Sequence, residues 1–153
     1  DVTTGGAGTL DIEATAGSRE KRSYDEQTLE YKGSGETLLP YPYPYGFILN
    51  TRTDEGDGVD CYILTRSSLD GGSRVSCEPI GLLEFFEEDE KDHKVLALLP
   101  GETASLDERL RSELEGFIYG IFKRFPEMRV RVGALRPKEE AERFIDNWRV
   151  RPS

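Results

Sequence analysis

The segment from Tyr41 to Asp60 constrains the fold most strongly, because it joins a stiff aromatic run to a tight acidic turn. Pro42 and Pro44 fix φ at about −65° and push the tyrosines before them into extended backbone. Gly56 and Gly58 then allow the chain to turn sharply. Four carboxylates crowd this turn: Asp54, Glu55, Asp57 and Asp60. The segment therefore orients two phenol side chains and concentrates negative charge in one short loop.

This concentration of charge predicts a site for hard cations. Two carboxylates about 4 Å apart repel each other by roughly 1 kcal/mol even in bulk water, and a turn alone would be served equally well by Asn-Gly or Ser-Gly. Hard divalent cations prefer oxygen ligands, so a metal site and a solvated acidic loop are the two interpretations. An EF-hand is excluded, because Gly56 and Gly58 occupy the places of its third and fifth ligands.

The composition narrows the class of protein. A chain of 153 residues is expected to form a single domain over residues 1–153, with a proper core. Its net charge of −10 argues against nucleic-acid binding and against attachment to a membrane surface. No apolar run approaches the ~20 residues of a membrane-spanning helix, and we expect no signal peptide at the start of the sequence.

The histidine and cysteine residues narrow the chemistry further. His93 is the single histidine, which excludes a zinc site built from several histidines. It lies in the charged run 87–94, and we expect it in a solvated loop. Cys61 and Cys77 are the two cysteines, each among apolar neighbours, so a reduced cytoplasmic chain is expected rather than a disulfide scaffold.

The apolar pattern predicts five strands followed by helices. The strands are predicted at 9–15, 59–65, 74–86, 95–99 and 129–135. Ser105 and Glu108 form a capping box for a first helix, and Pro137 opens a second. The polar segments 17–24 and 28–40 are expected to be loops. This order predicts an α+β domain, a closed β-barrel with two main flanking helices.

Four motifs, in this order, resemble the family I soluble inorganic pyrophosphatases. They are Tyr41-Pro-Tyr-Pro-Tyr45-Gly46, Glu55-Gly-Asp57-Gly-Val-Asp60, Ile80-Gly-Leu-Leu83 with Glu87, Asp92 and Lys94, and Phe117-Ile-Tyr-Gly-Ile-Phe122-Lys123. The resemblance extends from Glu13 to Trp148. It implies an OB-like five-stranded barrel that binds Mg²⁺ and hydrolyses pyrophosphate to two phosphates, with Mn²⁺ or Zn²⁺ as other candidate metals. It also implies a cytoplasmic homo-oligomer, a trimer or a hexamer.

The resemblance also implies roles for individual residues. Asp57 matches the general base that takes a proton from a metal-activated water. The implied metal ligands are Glu13, Glu55, Asp60, Glu87 and Asp92. The implied phosphate-binding residues are Lys21, Tyr41, Tyr45, Lys94 and Lys123. Two metals acting on one water would lower its pKa, and lysine and phenol donors would hold the phosphoryl oxygens.

The chain departs from the family pattern at several positions, which leaves two other functions open. Ser23, Gly33 and Phe122 stand where the family has a Glu, an Arg and a Tyr. Lys32 and Arg22 are candidates to replace the Arg, although a lysine lacks its bidentate fork. Glu55 and Glu87 each replace an Asp. The lost Arg and Tyr remove contacts to phosphate, so a hydrolase acting on another phosphate compound is one alternative. A catalytically weakened or inactive protein that binds metal and phosphate is the other.

Overall fold

The computed structural model describes residues 8–24, 28, 30–54 and 56–150, which form nine strands and two helices. The strands are β1 (Gly8–Ala14), β2 (Glu20–Tyr24), β3 (Tyr31–Glu36), β4 (Tyr45–Ile48), β5 (Asp60–Ile63), β6 (Arg74–Glu87), β7 (Glu90–Lys91), β8 (Lys94–Leu98) and β9 (Val130–Pro137). The helices are α1 (Glu108–Phe122) and α2 (Lys138–Asn147). No helix in these described segments is long and apolar enough to cross a membrane.

Five strands form a closed ring in the order β1-β4-β5-β8-β6, and the ring closes because β6 also pairs with β1. All of these pairings are antiparallel except that between β5 and β8, which run parallel. Strand β9 adds to β6 outside the ring, and β7 pairs with the end of β6. The ring and the two helices are the OB-like barrel that the resemblance implies, with β4 in the ring where the apolar pattern predicted the strand at 129–135.

Four of the five ring strands, β1, β4, β5 and β8, are buried along most of their length. Every residue of β4 and β8 is buried, as is the end of β5, which explains why these strands have nearly continuous apolar sequences. Gly46 sits where β4 crosses β1, and a Cβ atom there would collide with the carbonyl group of Asp11. The close approach of these two strands therefore requires glycine at this position.

Helix α1 begins differently from the prediction. Its N-cap is Asp107, whose Oδ1 accepts a hydrogen bond of 3.0 Å from the amide of Leu110. The predicted capping box of Ser105 and Glu108 is wrong, because the N-cap is Asp107 and the helix therefore starts two residues later than that box requires. The predicted second helix is confirmed, with Pro137 as its N-cap.

The two polar segments that the sequence assigns to loops form a β-hairpin instead. Strands β2 and β3 pair antiparallel as a separate two-stranded sheet. Most of their side chains are exposed or half-buried, so the hairpin carries no apolar alternation that would identify it. Backbone hydrogen bonding defines these strands, and the loop prediction for 17–24 and 28–40 is wrong for this reason.

His93 is buried, and the prediction of a solvated loop position is wrong. Its Nδ1 atom accepts a hydrogen bond of 3.0 Å from the amide of Phe85. The imidazole also packs against Phe86 and Phe144, with ring centroids 5.2 and 5.3 Å away. Burial lowers the pKa of His93, so the neutral ring acts as a packing residue between β6 and α2.

Candidate active site

A cavity of about 390 Å³ lies between the barrel, the β2–β3 hairpin and α1. Its polar lining consists of Glu13, Lys21, Ser23, Tyr24, Lys32, Tyr41, Tyr45, Asp57, Asp60, Tyr62, Glu87, Asp92 and Lys94. Its apolar wall consists of Ile118, Ile121 and Phe122 from α1. The two acidic loops that are far apart in the sequence therefore meet at one cavity.

The parallel pairing of β5 and β8 explains why charged residues from the two loops meet. Cys61 of β5 lies opposite Val95 of β8, so the residues immediately before them, Asp60 and Lys94, enter the sheet side by side. Asp92 lies two positions before Lys94 on the same approach. The register of one strand pair thus sets the spacing of the central charges.

Lys94 is the centre of this charge cluster. Its Nζ atom donates hydrogen bonds to Asp60 Oδ2 at 2.6 Å and to Asp92 Oδ2 at 3.1 Å, and lies 3.4 Å from the hydroxyl oxygen of Tyr45. Only 9% of the Lys94 side chain is exposed. Burial by itself lowers the pKa of Lys94, but the two carboxylates outweigh it and raise the pKa above its usual value. The lysine therefore carries its charge at neutral pH.

Three tyrosine side chains form one wall of the cavity. The ring centroids of Tyr41 and Tyr45 are 5.4 Å apart, and those of Tyr45 and Tyr62 are 4.8 Å apart. Phe117 of α1 packs 4.7 Å from Tyr41. Burial raises the pKa of all three tyrosine hydroxyls, so they stay protonated and can donate hydrogen bonds. The Nζ atom of Lys21 lies 5.5 Å from the Tyr45 ring centroid, within cation–π range.

The carboxylates that line the cavity could bind divalent cations, with one or two carboxylates to each cation. No three carboxylate, histidine or cysteine side chains in the described part of the chain are grouped closely enough to hold a metal ion. Asp60 and Asp92 nevertheless converge on one cation, the Lys94 ammonium. Such a site suits a divalent cation that binds through one or two carboxylates and takes water and phosphate oxygens as its other ligands.

Most of the residues predicted for the site line this cavity. They are Glu13, Lys21, Tyr41, Tyr45, Asp57, Asp60, Glu87, Asp92 and Lys94. Glu55 lies outside the described residues. Lys123 is exposed at the C-terminal end of α1, and the cavity lining does not include it.

Four polar lining residues are not among the predicted site residues: Ser23, Tyr24, Lys32 and Tyr62, of which Lys32 is considered only as a replacement for the lost Arg. Three of them belong to the β2–β3 hairpin, which the sequence did not reveal. The one available signal was Lys32, the single cation of the segment 28–40. Tyr62 lies inside a buried strand, where its sequence indicates only packing.

Fold and site together define an OB-like barrel with an acidic cavity that also contains lysine and tyrosine side chains. A sequence model of the inorganic pyrophosphatase family matches residues 10–151. The chain is 32% identical over 145 residues to the inorganic pyrophosphatase of Nanoarchaeum equitans, a match that covers 88% of this chain and 90% of that protein. A more local match of 62 residues to the Aquifex pyrophilus inorganic pyrophosphatase is 42% identical and covers 40% of this chain and 35% of that protein.

Solved structures share the fold. The inorganic pyrophosphatase of Helicobacter pylori aligns with a TM-score of 0.83 at 23% identity, covering 95% of this chain and 94% of that one. The enzyme from Thermus thermophilus aligns with a TM-score of 0.80 at 24% identity, covering 90% and 86% of the two chains. The chain belongs to the inorganic pyrophosphatase family.

Proposed function

We propose that this chain hydrolyses inorganic pyrophosphate to two phosphate ions, with Mg²⁺ as its cofactor. The observation that carries the proposal is the single cavity that collects carboxylates, lysines and tyrosines from separate parts of the chain. Family membership supports the same reaction. Pyrophosphate is small and highly charged, and it needs opposite charge on several sides together with hydrogen-bond donors, both of which the cavity contains.

Carboxylates that line the cavity would hold the metal ions. We assign this role to Asp60, Asp92, Glu87 and Glu13. We also assign it to Glu55, which belongs to the acidic segment 54–60 that ends at Asp60. When bound, divalent cations lower the pKa of water and shield the charge on phosphoryl oxygens. Lys94 already holds Asp60 and Asp92 in place, so those two carboxylates are preorganised for cations.

Asp57 is the proposed general base. It lines the cavity but is exposed, and it stands between Gly56 and Gly58 in the turn before β5. Its carboxylate oxygen would accept the proton of the attacking water, and the exposed position gives that proton a path to solvent. Tyr41, Tyr45, Lys21 and Lys94 would donate hydrogen bonds to phosphoryl oxygens. Lys123 remains a candidate for the same role.

A phosphate-release assay with a pair of matched variants tests the proposal. The wild-type protein is given pyrophosphate with Mg²⁺, Mn²⁺ or Zn²⁺ in turn, and Mg²⁺ is expected to support the fastest turnover. Asp57→Asn should reduce kcat by about 100-fold or more, a typical effect of losing a general base. Asp89→Asn, in the exposed turn of the other acidic loop, should leave it unchanged. Absence of turnover with all three metals, or preference for an organic phosphate, would contradict the proposal.

We also propose that the protein is a homo-oligomer, that it works in the cytoplasm, and that residues 1–153 act as one domain. Three exposed apolar side chains support the first proposal, namely Leu38, Leu39 and Phe125, which are 39%, 39% and 45% exposed. The two free, buried cysteines support a reducing compartment. Light scattering coupled to size-exclusion chromatography would measure the subunit number, for which we expect three or six.

A further inference from the structure

We propose that Lys32 binds a phosphoryl group of the substrate, and that a bulge in β3 directs its side chain into the cavity. This inference rests on the proposed function. It concerns a residue that the sequence motifs do not include. Lys32 lines the same cavity as Asp57, Asp60 and Lys94, although it reaches it from the outer strand of the β2–β3 hairpin.

The strand pairing places an extra residue in β3 at Lys32. Ser23 lies opposite Gly33, but the next residue of β2, Tyr24, lies opposite Tyr31. Lys32 therefore has no partner across the ladder and is the bulged residue. Gly33 has a φ of +136°, a backbone conformation that side-chain-bearing residues rarely adopt. The bulge and the unusual backbone conformation of Gly33 therefore occur at adjacent residues of β3.

The bulge changes which face of the hairpin each side chain of β3 occupies. Directly opposed residues share a face, so Tyr31 falls on the face of Tyr24, where the two rings are 5.7 Å apart. Lys32 is placed on the face of Lys21 and Ser23, both of which line the cavity, as does Tyr24 from the other face. A regular β3 would put residues 32 and 24 on one face, because pairing would continue one residue at a time.

Lys32 adds a third lysine to the cavity, beside Lys94 and Lys21, which are already assigned to phosphoryl oxygens. Lys94 is held by Asp60 and Asp92, and Lys21 lies over the ring of Tyr45. The Lys32 side chain has no hydrogen bond or ion pair with any residue that the structure describes. Among the lining residues, five carboxylates face three lysines, so an anionic substrate needs every positive charge that faces it.

The test compares Lys32→Gln with Lys138→Gln, which removes the same charge from an exposed position at the start of α2. Steady-state hydrolysis of pyrophosphate gives KM and kcat, and calorimetry gives the affinity for inorganic phosphate. Lys32→Gln should raise KM about tenfold or more and weaken phosphate binding similarly, the usual effect of losing a charged hydrogen bond. Lys32→Arg should keep KM and the affinity for phosphate close to the wild-type values.

Gly33→Ala tests the role of the bulge separately. The added methyl group meets open space, so any effect comes from the backbone conformation, and phosphate binding should weaken although Lys32 is intact. Equal KM and phosphate affinity in Lys32→Gln and Lys138→Gln would overturn the inference. If the wild-type protein shows no hydrolysis, the proposed function fails instead. Calorimetric binding of pyrophosphate to the same variants would still confirm or refute the role of Lys32.

Discussion

The ammonium group of Lys94 links the carboxylates of Asp60 and Asp92 in the candidate site in the absence of metal or substrate. It satisfies two carboxylates from different loops at 2.6 and 3.1 Å. Without it, two negative charges would face each other in a partly buried cavity, where their repulsion is stronger than in water. The same arrangement means that metal ions and Lys94 act on the same pair of carboxylates.

Replacing Lys94 by Met should therefore destabilise the protein, and Mg²⁺ should reverse part of the loss. We expect the free energy of unfolding to fall by about 2 kcal/mol in EDTA, less than for a fully buried pair because both carboxylates are partly exposed. Urea unfolding with and without Mg²⁺ measures this. Lys138→Met is the control. A Lys94→Met variant as stable as this control in EDTA would refute the structural role.

Asp11 gives a pH-dependent prediction away from the site. It is 2% exposed, and its Oδ1 has no hydrogen-bond partner among the described residues. Burial raises the pKa of Asp11, an effect that nearby Arg74 partly opposes. A raised folded-state pKa means that the native protein binds this proton more tightly than the unfolded chain does. Ionisation therefore costs stability as the pH rises above the usual value of 3.8.

Asp11→Asn removes that cost and should increase the free energy of unfolding at pH 7, by on the order of 1 kcal/mol. The difference between variant and wild type should shrink as the pH falls towards 3, where the carboxyl group is protonated in both states. Thermal unfolding between pH 3 and pH 7 measures it. A variant that is less stable than the wild type at pH 7 would show that the charge is needed.

At the scale of elements, four of the five ring strands were predicted, whereas the buried strand β4 and the β2–β3 hairpin were not. β5 and β8 have apolar sequences because most of their side chains face the core, whereas Val132 is the one buried residue of β9. The β2–β3 hairpin presents mostly polar side chains, so its pattern resembles that of a loop. The bulge at Lys32 follows from backbone pairing, which the residue types do not encode in any simple period. This part of the site could be found only from the structure.

At the start of α1, the residue that the sequence motif predicts as the N-cap differs from the residue that caps the helix in the structure. Ser105 and Glu108 match a capping box by spacing, but Asp107 makes the cap in the structure. Asp107→Ala should lower the free energy of unfolding by about 1 kcal/mol, whereas Ser105→Ala should change it little. Chemical unfolding of the two variants measures the difference. A larger loss from Ser105→Ala would favour the capping box.

At the scale of the whole molecule, barrel closure explains why distant motifs share one site. β1 pairs with both β4 and β6, and the parallel pair β5–β8 brings the two acidic loops together. The motifs predicted most of the lining residues, because the ends of barrel strands hold those side chains in fixed positions. They did not locate Tyr24 or Lys32, since the hairpin that carries them is a separate sheet.

The most direct test is a titration of Mg²⁺ into metal-stripped protein while phosphate release from pyrophosphate is followed. Turnover should be undetectable without metal, rise to saturation as Mg²⁺ is added, and disappear when EDTA is added in excess. Asp60→Asn and Asp92→Asn should each shift the titration to higher Mg²⁺ concentrations. Hydrolysis that persists in EDTA, or that never appears at any Mg²⁺ concentration, would contradict the account of a metal-dependent pyrophosphatase.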